Sequence, residues 1–365
     1  MRNKTTQSVE PKKKAHVIDW LEELKRRASD RTLSCLTWMR PSWKLHLWHY
    51  VWALENWLEI EKIENIKCNF LIADYQVLWD YIWETEKIRA SVLDVVLDWL
   101  AVWLDPEKSK FVTQSYIPEF AELALYLSMF TPVSLLKNNP TLKAEMKQLE
   151  QGWKSNISVW FFNYPVSQAA DILLPKSDIV PVWEDQIPHI ELARNIISRV
   201  NKIYGTEYPL PKALIWKVWR LVGVDWQAKM SKSLWNAIML SDEKDEIKKK
   251  VMKMYTDPTR IRATDPWHIE WNVVFLYLDI FHKDKEELES LKELYRNWKI
   301  WDVAIKQMLL EDIENFIYPI RERRKIFEND ISKVREIIES WAESFRDEAK
   351  EFMISLRESM WVINY

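Results

Sequence analysis

His46 and His49 close an HxxH quartet, His46-Leu47-Trp48-His49, that follows a short apolar run and a Pro41-Ser42 turn. At positions i and i+3 the two imidazoles share one face of a helical turn. The start of a helix offers N–H donors and a positive dipole that suit a phosphate. The histidines are therefore candidate donors to phosphate oxygens, and with no third ligand in view no metal site is expected. Far downstream, Lys229-Met230-Ser231-Lys232-Ser233 brings two ammonium groups and two hydroxyls into one short loop. Such a segment can clamp a polyphosphate whose charge grows in a transition state. A third cluster, Tyr164-Pro165-Val166-Ser167-Gln168-Ala169-Ala170-Asp171, sets a carboxylate on a helix face of small residues, from which it can project into a pocket. Asp171, with Glu184 and Asp185 of VPVWEDQIPHIEL, lies near strand ends, where open parallel sheets bind ligands. Each feature alone is compatible with capping histidines, a solvated basic loop or surface acids. Together they describe a site for a phosphate-bearing substrate.

The elements that must position these residues can be read from apolar periodicity. LSCLT (33–37) and CNFLIA (68–73) read as short buried strands with a helix over 45–64 between them, a β-α-β unit that implies a parallel sheet. A helix over 86–104, a strand at 110–115, helical sequence over 119–150, a strand at 178–182 and a helix over 187–204 continue the alternation. From about residue 242 the pattern changes to charged amphipathic helices: 242–255, 272–282, 284–297, 301–326 and 330–358. Three segments follow: an N-terminal extension (1–32), polar and basic with Lys12-Lys13-Lys14; an α/β unit (33–241) that carries the lysine-serine loop; and a helical unit (242–365). Arg321, Arg323, Arg324 and Lys325 in the last are candidates for phosphate contact or for a solvated face.

The chain has 365 residues, 48% hydrophobic and 29% charged, with a formal net charge of −3. This is ordinary for a globular protein of two or three domains and excludes wholesale disorder. No apolar run reaches the roughly 18 residues of a membrane span, and no apolar stretch follows the charged N-terminus as a signal peptide requires. Two cysteines, Cys35 and Cys68, are too few for a disulfide scaffold, which points to a reducing cytoplasm. One count is abnormal. Three glycines and 23 tryptophans together make about 7% of the chain, the share that glycine ordinarily holds alone. The tryptophans crowd where chains turn: Trp38, Trp43, Trp48 and Trp52 in TWMRPSWKLHLWHYVWAL, Trp103 at a helix end, Trp226 after Asp225, Trp267 after Asp265-Pro266. Glycine serves such positions. Four indoles within 15 residues can form a true aromatic cluster; the preferred expectation is that UGA codons encoding glycine in the source organism are rendered as Trp, with Trp57 and Trp99, which fit regular helical patterns, as true indoles.

HLWHY and KMSKS resemble the two signatures of class I aminoacyl-tRNA synthetases. More narrowly, TWMRPSWKLHLWHYVWAL, FFNYPVSQAADILL, DIVPVWEDQIPHIELAR and DWQAKMSKSLWNAIMLSD resemble the bacterial tryptophanyl-tRNA synthetases, a likeness that spans roughly residues 33–360. In that family Trp38, Trp43, Trp48, Trp52, Trp103, Trp183, Trp226 and Trp235 would be glycine. The resemblance implies a Rossmann-type catalytic domain and a C-terminal α-helical domain that binds the tRNA anticodon. It implies the ligation of L-tryptophan to tRNA(Trp) with ATP and Mg²⁺, by way of tryptophanyl-adenylate, in a homodimer with helices of 119–150 at its interface. His46, His49, Lys229 and Lys232 would be catalytic. Arg40, Pro41, Ser42, Trp48 and His49 would border ATP; Trp183, Glu184 and Asp185 would lie at its ribose and adenine. Leu221 and the run Lys229, Met230, Ser231, Lys232, Ser233 would complete the nucleotide site, with Lys232 meeting the charge of departing pyrophosphate. Asp171 would accept the indole N–H, and Tyr164, Gln168 and Gln186 would complete the amino-acid pocket. Gln76 stands where the family usually has His. A tyrosine-specific relative and a catalytically inactive paralogue that binds RNA or a protein are the alternatives, the latter if Trp48 and Trp183 are true indoles in the nucleotide site.

Overall fold

The computed structural model describes residues 17–18, 21–151, 157–215, 223–224, 236–256, 268–269 and 272–361. Its centre is a six-stranded parallel sheet of β1 (Val17–Ile18), β2 (Leu33–Met39), β3 (Ile66–Ile72), β4 (Lys110–Thr113), β5 (Ile179–Val182) and β6 (Lys212–Ile215). The strand order is β1-β6-β5-β2-β3-β4. The chain runs from β2 outward to β3 and β4, then returns to place β5 on the other side of β2. The switch point between β2 and β5 is where an open α/β sheet leaves a crevice. Side chains alternate across the sheet, as the two-residue period requires. Cys35, Phe70, Phe111, Ile179 and Leu214 enter one core, and Leu36, Leu71, Val112, Val180 and Ala213 the other. The chain thus folds as the α/β class expected, with buried apolar strands.

Helices cover both faces: α1 (Leu21–Ala28), α2 (Leu47–His49) continuing through a π-helical turn at Tyr50–Leu54 into α3 (Glu55–Glu61), α4 (Asp74–Leu78), α5 (Thr85–Ala101), α6 (Glu119–Met129), α7 (Val133–Asn138), α8 (Pro140–Gln151), α9 (Val159–Leu173) and α10 (Ile187–Tyr204). The helical sequence over 119–150 is three helices, because Pro132 and Pro140 each begin a new one; proline fits a first turn but cannot continue a helix. The strand expected to run to residue 115 stops at Thr113 and passes into a 3-10 turn over Gln114–Tyr116. Inside the segment read as an extension, β1 pairs with β6, and Leu24 and Ala28 of α1 are buried in the core.

The later helices are α11 (Lys244–Met252), α12 (Val273–Phe281), α13 (Lys285–Arg296), α14 (Asp302–Glu328) and α15 (Ile331–Ser359). They do not stand apart from the sheet. α14 packs on α5 and α15 on β4. Val334, Ile338 and Trp341 of α15 join one core while Phe345, Phe352 and Leu356 join the other, so this helix crosses the sheet edge and shields β4.

Six non-glycine residues among those described have positive φ, and four of them are tryptophan: Trp43 (118°), Trp103 (67°), Trp298 (62°) and Trp361 (57°). A bulky side chain there is an outlier. α5 ends with the Trp103 N–H on Leu100 O and the Leu104 N–H on Trp99 O; α13 ends with Trp298 on Tyr295 and Lys299 on Leu294. Both are the paired hydrogen bonds of a helix stop that normally places glycine at the left-handed position.

Candidate active site

The crevice at the strand ends holds a cavity of about 1160 Å³, large enough for a nucleotide and an amino acid together. Arg40 and Ser42 follow β2, Trp48 and His49 come from α2, Gln76 from α4, and Trp183, Glu184, Asp185 and Gln186 follow β5. Glu145 and Gln148 of α8 and Trp160, Tyr164 and Gln168 of α9 complete the opposite wall. Ten of the site residues named from sequence thus line one cavity. Pro41, His46 and Asp171 do not line it. Leu221, Lys229, Met230, Ser231, Lys232 and Ser233 lie outside the described residues.

The HxxH turn is held from both sides. The Leu45 N–H donates to Asp98 Oδ2 at 2.7 Å, the Leu47 N–H to Ile238 O at 2.9 Å, and the His49 N–H to His46 O at 2.8 Å. The expectation of an open cradle of N–H donors is therefore corrected: these donors of the first turn are committed within the protein. What the turn offers is the His49 ring. Its Nδ1 accepts the His46 N–H at 3.1 Å, so the neutral ring carries its proton on Nε2, a donor suited to a phosphate oxygen. Trp48 and Trp183 stack with ring centroids 5.5 Å apart, and Trp52 meets Trp183 at the same distance. Indoles thus occupy the wall that the HxxH turn and the β5 end share.

On the other side, Asp171 is fully buried a helical turn beyond Gln168. Its Oδ1 accepts from Gln114 Nε2 at 2.6 Å. Burial pushes its carboxyl up to about 8, helped by the nearby Asp74 charge and opposed by the Gln114 hydrogen bond. Gln76 Nε2, Gln114 Oε1 and Gln168 Oε1 are buried without a hydrogen-bond partner. Each such group costs about 1–3 kcal/mol, so this end of the site is built to receive a polar partner. Tyr164 donates to Glu145 Oε2 at 2.6 Å, and its oxygen lies 3.2 Å from His189 Nε2. Burial drives the His189 imidazole down to about 4 and holds the Glu145 carboxyl above its ordinary value. His189 is thus neutral at pH 7 and Tyr164 is fixed in rotamer from two sides. Arg40 is ion-paired to Asp80 at the rim.

Gln114, Glu145, Gln148 and His189 were not singled out by sequence reasoning. Gln114 sits at the end of a predicted strand, and a survey of every strand end would have found it. Glu145 and Gln148 share one face of α8 at i and i+3, but no motif marks them.

A parallel sheet with a nucleotide-sized crevice at its switch point, rimmed by an HxxH turn, defines a Rossmann-type nucleotide-binding fold. The profile of the tRNA synthetases class I (W and Y) matches residues 28–317, and the chain belongs to that family. It is 46% identical over 330 residues to the tryptophan–tRNA ligase of Clostridium longisporum, covering 90% of this chain and 96% of that one. It is 42% identical to the tryptophan–tRNA ligase of Streptococcus mutans over 90% of this chain and 98% of that one. The crystal structure of tryptophanyl-tRNA synthetase from Campylobacter jejuni complexed with ADP and tryptophan superposes with a TM-score of 0.79 at 31% identity, covering 90% of this chain and all of that one.

Proposed function

We propose that the chain is a tryptophan–tRNA ligase: it activates L-tryptophan with ATP to tryptophanyl-adenylate and transfers the amino acid to the 3′ end of tRNA(Trp), a step of protein biosynthesis. The observation that carries the reading is Asp171, a carboxylate buried beside the cavity on α9 and oriented by Gln114. Its unshared oxygen accepts the indole N–H. A site built around such a bond rejects an analogue that lacks it by about 10⁴–10⁵, which separates tryptophan from phenylalanine. Tyr164, Gln168 and Gln186 hold the rest of the amino acid. The similar ligases and the Campylobacter jejuni complex with ADP and tryptophan support the same substrates.

In the reaction the tryptophan carboxylate attacks the α-phosphorus of ATP and pyrophosphate leaves. Arg40 and Ser42, on either side of Pro41, border the nucleotide, His49 Nε2–H donates to a phosphate oxygen, and Glu184 and Asp185 lie at the ribose and adenine. His46 positions the His49 ring through its backbone N–H. Lys229 and Lys232 stabilise the pyrophosphate as its charge develops. Mg²⁺ would enter with the nucleotide, held by phosphates and water. The helical segment 242–365 reads the anticodon. Exposed Leu125 and Met129 on α6 and Val133 on α7 support a homodimer through these helices. No described helix is long and apolar enough to cross a membrane; the cytoplasm is the proposed compartment. ATP–pyrophosphate exchange tests the reading: it must depend on tryptophan, with tyrosine and phenylalanine inert.

A second reading has its own observation. Trp48 stacks on Trp183 in the cavity wall; on the reading that the adenine plane lies against position 48, the two indoles exclude it and the chain is an inactive paralogue. The backbone favours glycine. Trp43 and Trp103, already singled out by sequence, hold positive φ, and so do Trp298 and Trp361, which were not. The gene decides: TGA at positions 38, 48, 183 and 226 with TGG at 57 and 99 establishes glycine and an open site, whereas TGG throughout establishes the paralogue. Peptide masses of the protein from its source organism give the same answer.

A further inference from the structure

Arg321 and Arg324 lie one turn apart on α14 and are 5% and 2% exposed. The sequence allowed them a role on phosphates or on a solvated face; burial overturns both. Two buried guanidinium groups are tolerated only when fully paired, so their partners are informative. Arg324 donates to Asp98 Oδ1 and to Asp94 on α5, and to Glu328 at 2.7 Å. The second oxygen of Asp98 accepts the Leu45 N–H at 2.7 Å, one residue before His46. Burial raises the Asp98 carboxyl to about 6 against the pull of Arg324 and of the Leu45 N–H, so it is ionised at neutral pH. Arg321 donates to the Asp242 carbonyl oxygen at 2.8 Å and to Glu314 at 2.6 Å. Asp242 Oδ2 accepts the Met239 N–H at 2.8 Å. Segment 238–240 is bonded to the histidine turn, by Leu47 N–H to Ile238 O at 2.9 Å and Leu240 N–H to Leu45 O at 3.0 Å. Segment 236–242 follows Lys229–Ser233 in the sequence.

We infer that α14 is a strut that sets the HxxH turn against segment 238–242, with Arg324 and Arg321 as positioning residues for the two. Neither arginine lines the cavity. Because they are three residues apart on one rigid helix, their axial separation is fixed at about 4.5 Å. A displacement of about 1 Å between reacting groups can cost about a hundredfold in rate, so the tie acts on chemistry without touching substrate. The catalytic arm of this inference rests on the ligase reading; the structural arm does not.

The test is hydrogen–deuterium exchange of the full chain over peptides 43–49 and 236–242, with kinetics on the same samples. Arg324→Lys keeps the charge but loses the fork, while Asp98→Leu/Arg324→Met replaces the pair by apolar side chains, an exchange that is often neutral for stability. The expected result is faster exchange over 43–49, by at least about tenfold in the double variant, with Arg324→Lys between it and the parent. Arg321→Lys accelerates 236–242 first. Arg323→Gln, which removes a half-buried neighbour that donates to Leu100 O at 2.8 Å and lies over the Trp103 and Phe327 rings, leaves both peptides unchanged. In a form active in pyrophosphate exchange, the Arg324 variants lose about 10–100-fold in kcat/KM for ATP and keep the KM for tryptophan within about twofold. Exchange over 43–49 at the parental rate in the double variant, or an equal acceleration by Arg323→Gln, overturns the inference. If the Trp48→Gly/Trp183→Gly form makes no adenylate, the ligase reading fails while the exchange measurement still decides the strut.

Discussion

Trp57 and Trp99 meet edge to face with centroids 5.7 Å apart, wedged against Phe70 and Phe111, at 1% and 0% exposure. Trp48 and Trp183 stack at 5.5 Å in the wall of a cavity. The first pair is packed on every side by rings from α3, α5, β3 and β4, and neither indole N–H has a hydrogen-bond partner; ring contact and buried area carry it. The second pair borders open space. A residue type whose volume fills one region stands at the edge of a cavity in the other, and the difference separates indoles that a fold uses from indoles that it merely accommodates.

The sharpest way to break this comparison is to empty the second pair. Trp48→Gly with Trp183→Gly is expected to raise tryptophan-dependent ATP–pyrophosphate exchange from background to the ordinary enzyme range of about 1–1000 s⁻¹. An unchanged background, with the fold intact by circular dichroism, would remove steric blockage as the cause. Emptying the first pair acts in the opposite direction. Trp99→Ala should lower stability by about 3–5 kcal/mol, read as a shifted urea midpoint, and a loss under about 1 kcal/mol would mean that this indole is no more a core residue than Trp48. Next comes the amino-acid end of the cavity. Because burial and Asp74 raise the Asp171 carboxyl to about 8, it becomes an anionic acceptor only as pH rises through that value. The KM for tryptophan should therefore rise as pH falls below 8, by up to about tenfold per unit, and Asp171→Asn should abolish the dependence; a flat profile from pH 6.5 to 9 contradicts it. The smallest effect concerns the left-handed positions. Trp103 and Trp298 are 49% and 54% exposed, so little packing is lost when the side chain goes. Trp103→Gly and Trp298→Gly should each stabilise by about 1 kcal/mol, whereas alanine, which retains Cβ, should not. Equal melting temperatures for the glycine and alanine variants would show that the backbone at these stops is unstrained.

The strands and most helices were legible because their apolar residues keep a period, and α10 was read to its last residue. The HxxH turn and the YPVSQAAD helix were legible because their chemistry is local in sequence. What escaped depends on partners far away. Helical spacing carries the apolar stripe of Ile313, Ile317 and Ile320 on to position 324, but an arginine there reads by its type as a surface residue; Asp94 and Asp98 on α5 give it buried partners. Gln114 gains its role from Asp171, on a different element. Trp298 and Trp361 looked like any aromatic residue near a helix end, and only their φ values set them apart.

α15 straddles the β4 edge and contributes to both cores. During synthesis the sheet therefore cannot close as it is made. β4 leaves the ribosome at Thr113, and the helix that shields it is complete only at Ser359, roughly 250 residues later, or about 12–50 s at 5–20 residues per second. Throughout that interval the nascent chain presents an unshielded parallel strand with Phe111 and Val112 on it. Release of a chain truncated before residue 331 should therefore favour aggregation over folding.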